Sequence, residues 1–186
     1  MSTSLYRPDI EARAWIGCLA CYNHGDLVGD WHSATEAADV TVAGLHAGSG
    51  IDITARGCEE LWVFDHENIP ERGEMDPARA AAWGARIAEV PAWQRAAFLA
   101  WVYTGTHVVD ADDLPVISDF EERYAGEWTH FQEYADHLVD ELGVLDGASE
   151  EAQRYFDYRA YADDLAHDYV TATCEDGGGV YIFRLL

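Results

Sequence analysis

The sequence predicts an α+β fold. Short runs of β-branched and aromatic residues, bounded by turn residues, lie near both ends of the chain. Longer stretches with apolar residues at helical spacing fill the middle and the region after residue 116. Helix-start signals precede those stretches. With 49% hydrophobic and 12% aromatic residues, the 186-residue chain is too apolar for a disordered acidic tail and long enough for several small domains.

Three domains are expected. Residues 1–70 read as a small antiparallel sheet with one helix. The run 14–22 is a strand that ends in the turn residues Asn23-His24-Gly25-Asp26, and 27–31 returns beside it. Ser33-Ala34-Thr35-Glu36 has capping-box spacing and predicts a helix to about His46, broken by Gly48-Ser49-Gly50. Leu61-Trp62-Val63-Phe64 is a further strand. Residues 71–115 read as helical. Asp76 is a good N-cap and Pro77 suits the first helical position. Trp83, Ile87 and Val90 follow at helical spacing, and Pro91 interrupts. The next helix, 92–103, is apolar on nearly all sides and so is expected to be covered.

Residues 116–186 read as acidic helices closed by a β-hairpin. Ser118-Asp119-Phe120-Glu121 has capping-box spacing and predicts a short helix through Tyr124. Thr129 repeats the signal. Phe131, Tyr134, Ala135, Leu138, Val139 and Leu142 then form one apolar stripe, with Gly143 a fitting C-terminal cap. Glu133, Asp136 and Asp140 fall on the opposite face with Glu141 at its flank. Asp157 caps a helix with Tyr158, Tyr161, Ala162 and Leu165 inward and Asp163 and Asp164 outward. Residues 169–174 and 180–184 pair as the hairpin.

The formal charge of −24 comes from 35 acids against 11 basic residues, all of them Arg. Such a charge costs stability through self-repulsion and disfavours nucleic acid and anionic membrane as direct ligands. It is unevenly spread. Residues 1–106 carry 15 acids and seven Arg, residues 107–168 carry 18 and three, and residues 169–186 carry two and one. A binding surface concentrates acids in this way, whereas salt adaptation spreads them. No apolar run is long enough to span a bilayer, and the first residues lack a signal-peptide hydrophobic stretch, so cytoplasmic residence is expected.

Recognisable catalytic motifs do not occur, and no enzyme, cofactor or metal is expected. Cys18 and Cys21 form a lone C-x-x-C inside the predicted first strand, where residues three apart face opposite sides. With Cys58 and Cys174 they read as buried thiols, since a zinc signature needs a second spaced pair. Asp110-Ala111-Asp112 starts like a calcium loop, but Pro115 stands at position six instead of Gly. His130 and His137 read as surface histidines, and Asp163-Asp164 with His167 as a solvated helix face.

The acidic faces admit two readings of one geometry: a solubilising coat, or an array that imitates nucleic acid. Acids three and four apart on a helix rise about 4.5–6 Å. Phosphates along one DNA strand rise about 3.4 Å. Carboxylates on packed helices therefore approach the charge density of DNA.

Five segments in order resemble the ArdA antirestriction family. They are Tyr22-Asn23-His24-Gly25-Asp26-Leu27-Val28-Gly29-Asp30-Trp31, the acidic strand from Glu59 to Asp65, Phe120-Glu121-Glu122-Arg123-Tyr124-Ala125-Gly126-Glu127-Trp128, the element from Tyr155 to Leu165, and Gly179-Val180-Tyr181-Ile182-Phe183-Arg184. The departures are the absence of Lys, a longer N-terminus and a weakly matching stretch from about residue 70 to 115. The resemblance implies a non-catalytic DNA mimic, an elongated homodimer of three small domains that occupies the DNA groove of type I restriction–modification enzymes and is encoded by mobile elements. Its partner-binding surface is then expected at Asp110, Asp112, Asp113, Glu121, Glu122, Glu127, Glu133, Asp136, Asp140, Glu141, Asp163 and Asp164. The dimer contact is expected at Phe120, Tyr124 and Trp128, for which an inward-facing core role is the competing reading. The alternative for the whole chain is an enzyme or cation-binding protein of a salt-adapted organism.

Overall fold

A computed structural model of the chain describes residues 10–175 and 177–185. They divide into two compact units, the boundary falling between Arg95 and Ala96. Both units combine helices with a small antiparallel sheet, as the sequence predicts.

In unit 1 the sheet has the order β2-β1-β3, built from Arg13–Cys18 (β1), Gly29–Ser33 (β2) and Leu61–Glu67 (β3), all antiparallel. The first strand is shorter than expected. It stops at Cys18, and Leu19–Asn23 forms a single helical turn, α1. The continuous apolar run 14–22 suggested one strand. The Cys18 N–H still bonds the Val28 carbonyl at 2.9 Å and the Leu19 N–H the Glu60 carbonyl at 3.1 Å, and the chain then turns into α1. The predicted helix 33–46 is also broken. A 3-10 turn spans Ala34–Asp39, Val40 is extended, and a separate short helix, Val42–Leu45 (α2), is capped by the Thr41 hydroxyl. Ser33 makes no cap bond. β-Branched residues at Val40 and Thr41 favour extended backbone there. Ile53–Arg56 (α3) is capped by the Asp52 carboxylate and ends at Gly57, whose φ of 72° is the left-handed conformation that reverses the chain toward Cys58.

The helix Pro77–Glu89 (α4) has the predicted start, with the Asp76 carboxylate accepting from the Arg79 N–H at 2.8 Å. Its buried face is Ala80, Trp83, Gly84 and Ile87, and it packs on the 34–39 turn. A Cβ on Gly84 would lie 2.5 Å from the Thr35 nitrogen, so only glycine allows this approach.

In unit 2 the helix Arg95–Thr104 (α5) buries Ala97, Phe98, Leu99, Trp101 and Val102, as its apolar character predicts. Ile117–Arg123 (α6) is followed by a strand that sequence reading missed, Tyr124–Trp128 (β4). That strand joins Tyr169–Thr173 (β5) and Val180–Arg184 (β6) in the order β4-β6-β5. The predicted hairpin therefore gains a third strand. The helical period from Asp119 to Tyr124 masked it, since a five-residue strand has too few positions to show a period of its own. Phe131–Glu141 (α7), Glu150–Arg154 (α8) and Tyr158–Leu165 (α9) complete the unit. In α7 the buried residues are Tyr134, Ala135, Leu138 and Val139, the middle of the predicted stripe. Leu142 lies beyond the helix and is exposed. Asp157 caps α9 through the Ala160 N–H at 2.9 Å. No helix among the described residues is long and apolar enough to cross a membrane.

Candidate functional site

Unit 2 carries 20 acids and four Arg, against 15 and seven in the chain up to Arg95. Its cations are partly engaged inside the unit. Arg123 is buried and donates from Nε to Asp119 at 2.6 Å and from Nη1 to the Arg184 carbonyl at 3.3 Å. Hydrogen bonds to Tyr169 and Tyr134 hold the Arg184 guanidinium further into its charged form. Burial, and after it the hydrogen bond with Tyr169, pushes the Tyr134 hydroxyl up to about 12 against the lowering effect of Arg184. Unit 2 keeps a large excess of carboxylates over Arg.

The amphipathic pattern of α7 and α9 positions the acids. Their apolar faces pack together, and Gln132 bridges the helices by donating to Asp136 at 2.8 Å and to the Tyr158 carbonyl at 3.0 Å. Glu133, Asp140 and Glu141 of α7 and Asp163 and Asp164 of α9 are exposed, while Asp136 is half-buried. These six sit on two adjoining helices. Glu121 and Glu122 are exposed on α6 and Glu127 is exposed on β4. Asp112 and Asp113 are exposed in the turn before α6.

Two of the twelve acids are also structural. Asp110 is half-buried, and its Oδ1 accepts from the Asp112 N–H at 2.9 Å and the Leu114 N–H at 3.1 Å, so this carboxylate shapes a turn. Glu133 accepts from the Thr129 N–H at 3.0 Å. Those bonds at Thr129 hold its carboxyl below the ordinary carboxylate range. The α7 N-cap is His130, one residue later than expected, whose Nδ1 accepts from the Glu133 N–H at 3.1 Å. His130 and His137 are both exposed, as predicted. His137 lies 3.5 Å from Glu141 and 5.1 Å, ring to ring, from Trp128.

The three aromatics expected at a dimer contact are placed unequally. Phe120 is 1% exposed and sits in the aromatic core of unit 2, 5.4 Å from Phe98, 5.5 Å from Trp101 and 5.2 Å from Tyr124. Its ring is therefore part of that core. Tyr124 and Trp128 are half-buried. A groove beside α9 is lined by Phe131, Gln132, Asp163, Tyr169 and Thr171.

A second cluster lies in unit 1. Sulfur atoms of Cys18, Cys21 and Cys58 and a ring nitrogen of His46 all fall within 4.8 Å of one another, and all four residues are buried. Cys21 Sγ is 3.6 Å from Cys58 Sγ and 3.3 Å from His46 Nε2. Burial pushes the Cys58 thiol up to about 12, helped by its hydrogen bonds with Cys18 and Cys21. At Cys18 burial works the same way, but hydrogen bonds from the Cys21 backbone and from the Cys58 and Cys21 thiols outweigh it and lower the value. Sequence reading set Cys18 and Cys21 on opposite faces of a strand. The helical turn 19–23 instead brings both to one side, and His46 and Cys58 join from 25 and 37 residues past Cys21. The C-x-x-C spacing was the available signal, but its partners stand too far along the chain to be paired by spacing.

A family model described as Antirestriction protein (ArdA) matches residues 14–178, nearly the whole chain. No curated protein matches it.

Proposed function

The chain belongs to the ArdA antirestriction family, and we propose that it acts as a DNA mimic, occupying the DNA-binding groove of a type I restriction–modification enzyme without catalysis. The observation that carries this reading is the exposed carboxylate array of unit 2, above all the outward faces of α7 and α9. A restriction enzyme's groove is lined with cations that bind phosphate. Carboxylates accept the same charge-assisted hydrogen bonds from Arg and Lys. At one charge per roughly 1.7 Å of duplex, a net −16 for unit 2 matches roughly 27 Å of DNA, about eight base pairs. The apolar stripe of α7, with Ala162 and Leu165 of α9, points inward, although Tyr158, expected inward, is exposed. The array is therefore held by a folded core and needs little ordering on binding.

Binding of this kind displaces the counterions of both surfaces and is steeply salt-dependent. The test is a competition experiment in which the protein is added to a type I methyltransferase already holding labelled duplex. Saturable displacement that weakens from low to moderate salt, with the DNA chemically unchanged, is the expected result. Displacement indifferent to salt, or none, would sink the reading. A chain that unfolds in low salt would favour the salt-adapted alternative.

Two copies of the array would imitate a longer duplex, and a two-fold dimer is the commonest soluble assembly. The partial exposure of Tyr124 and Trp128 supports a dimer contact that includes them. Replacing both by Ala should halve the sedimenting mass while leaving the circular dichroism folded. An unchanged mass would move the contact elsewhere.

A further inference from the structure

We propose that Cys18, Cys21, His46 and Cys58 bind one structural zinc ion that staples the residue 38–60 segment to the sheet of unit 1. This inference is independent of DNA mimicry. It begins from the distances. A tetrahedral zinc with bonds of about 2.3 Å to sulfur and about 2.0 Å to nitrogen sets its ligands roughly 3.8 Å apart for two sulfurs and roughly 3.5 Å apart for sulfur and nitrogen. The measured separations of 3.6 Å for Cys21–Cys58 and 3.3 Å for Cys21–His46 already match, and the whole set lies within 4.8 Å. Three thiolates and an imidazole are a ligand set that selects zinc over the oxygen-seeking cations.

The histidine is prepared for the role. Its Nδ1 lies 2.8 Å from the Val42 carbonyl, which can only accept, so Nδ1 carries the proton. In the neutral ring Nε2 is then a lone pair, and it is the atom 3.3 Å from Cys21 Sγ. Fixing a ligand histidine through its other nitrogen is what metal sites require. The backbone is arranged as well. Cys18 stands at the N-cap of the turn α1 and Cys21 lies within it, and left-handed Gly57 delivers Cys58. Ala20, Val28, Val42, Leu45, Ile53 and Leu61 pack around the sulfurs and keep water off them.

The surrounding structure supplies the reason for a metal. Among the described residues from 38 to 60, His46 and Cys58 are the two that are buried. The segment's helices, α2 and α3, are four residues each. Side chains so few and so small give such a segment little hydrophobic stabilisation, and short segments of this kind are commonly held by metal or disulfide. Zinc bound by three thiolates and a neutral histidine carries a net charge of −1. Arg56, which pairs with Asp26, is near enough to Cys21 and Cys58 to interact with their charge and offsets it. Binding converts each protonated thiol to a thiolate and releases its proton to solvent, so affinity falls as pH falls.

The test uses the full chain, purified under reducing conditions without chelator, with metal measured by mass spectrometry. About one zinc per chain is expected in the wild type and in Cys174→Ser, whose sulfur lies in the other unit. Cys58→Ser and His46→Asn should fall toward none. Since those variants could fail by unfolding, the wild type is also stripped of metal and titrated with cobalt. Thiolate-to-cobalt charge transfer and the intense visible bands of a tetrahedral site should appear with an end point of about one equivalent and be bleached by zinc. A folded, reduced chain with no zinc and no cobalt bands overturns the assignment. So does a Cys21–Cys58 disulfide in freshly isolated protein, or full zinc content in Cys58→Ser.

Discussion

The two units share one plan and fill it differently. Each wraps helices around a three-stranded antiparallel sheet with a buried middle strand, β1 in one and β6 in the other. Unit 1 packs with small residues at close quarters: Ala14, Ala34, Ala37 and Ala80 are fully buried, and Gly84 lets α4 touch the backbone of the 34–39 turn. Unit 2 packs with rings: Phe98, Trp101, Phe120, Tyr181 and Phe183 are each 2% exposed or less. The charges divide the same way, with unit 2 carrying the denser net negative charge. A surface crowded with like charges works against compactness. An aromatic core offsets that repulsion, because each ring removes a large apolar area from water for few residues. The division teaches that the acidic face and the aromatic core of unit 2 are two halves of one solution.

The largest effect that could break this comparison is Phe120→Ala. Removing a ring from a closed aromatic cluster costs about 3–5 kcal/mol, and unit 2 is expected to lose cooperative unfolding in a thermal melt while unit 1 keeps its transition. Survival of unit 2 would mean that its core is redundant. Next in size is Gly84→Ala, where overpacking against backbone costs about 1–3 kcal/mol. It should lower the melting of unit 1 and leave unit 2 untouched.

The charge half of the comparison is tested by two matched neutralisations. Glu133, Asp136, Asp140 and Glu141 changed together to Gln or Asn should weaken binding to a type I enzyme tenfold or more, and flatten its salt dependence. Glu36, Asp39, Glu59 and Glu60 of unit 1, all exposed, should move it much less when changed the same way. Equal losses would show that total charge, rather than its placement, governs binding. Asp136→Asn alone should change affinity by threefold or less, as single ion pairs near a protein surface are individually weak.

The smallest expected effect is pH-dependent. A carboxyl whose folded pKa lies below its unfolded value, about 4.3 for Glu, adds stability above that value and loses it as pH falls through the folded one. Glu133 is such a group because of its bonds at Thr129. Glu133→Gln should therefore lower the melting temperature slightly at neutral pH, and the difference from wild type should vanish in strong acid. A difference that persisted there would mean packing, and not charge, holds the start of α7.

Sequence reading succeeded where one element carries its own signal. The cap and proline at Asp76-Pro77, the stripe of α7, the Asp157 cap of α9 and the closing hairpin are all local, and each stands where its residues predict. It failed where a distant strand or side chain decides the outcome. Strand β1 ends at Cys18, where the chain turns into α1, and β4 is paired along β6, which lies far along the sequence. Of the acids placed outward by amphipathic spacing, Glu133, Asp140, Glu141, Asp163 and Asp164 are exposed, whereas Asp136 is half-buried. That Asp110 shapes a turn, that Asp119 is drawn inward to Arg123, and that Phe120 is core could not be read from spacing.

By itself the sequence determined the fold class, the helix faces and the acidic excess, because period, capping and charge are properties of neighbouring residues. Tertiary structure decided which residues meet. Cys18, Cys21, His46 and Cys58 converge across 41 residues of chain, counted from Cys18 through Cys58. Convergence of this kind depends on how turns and strands close on one another, and no local pattern encodes that closure.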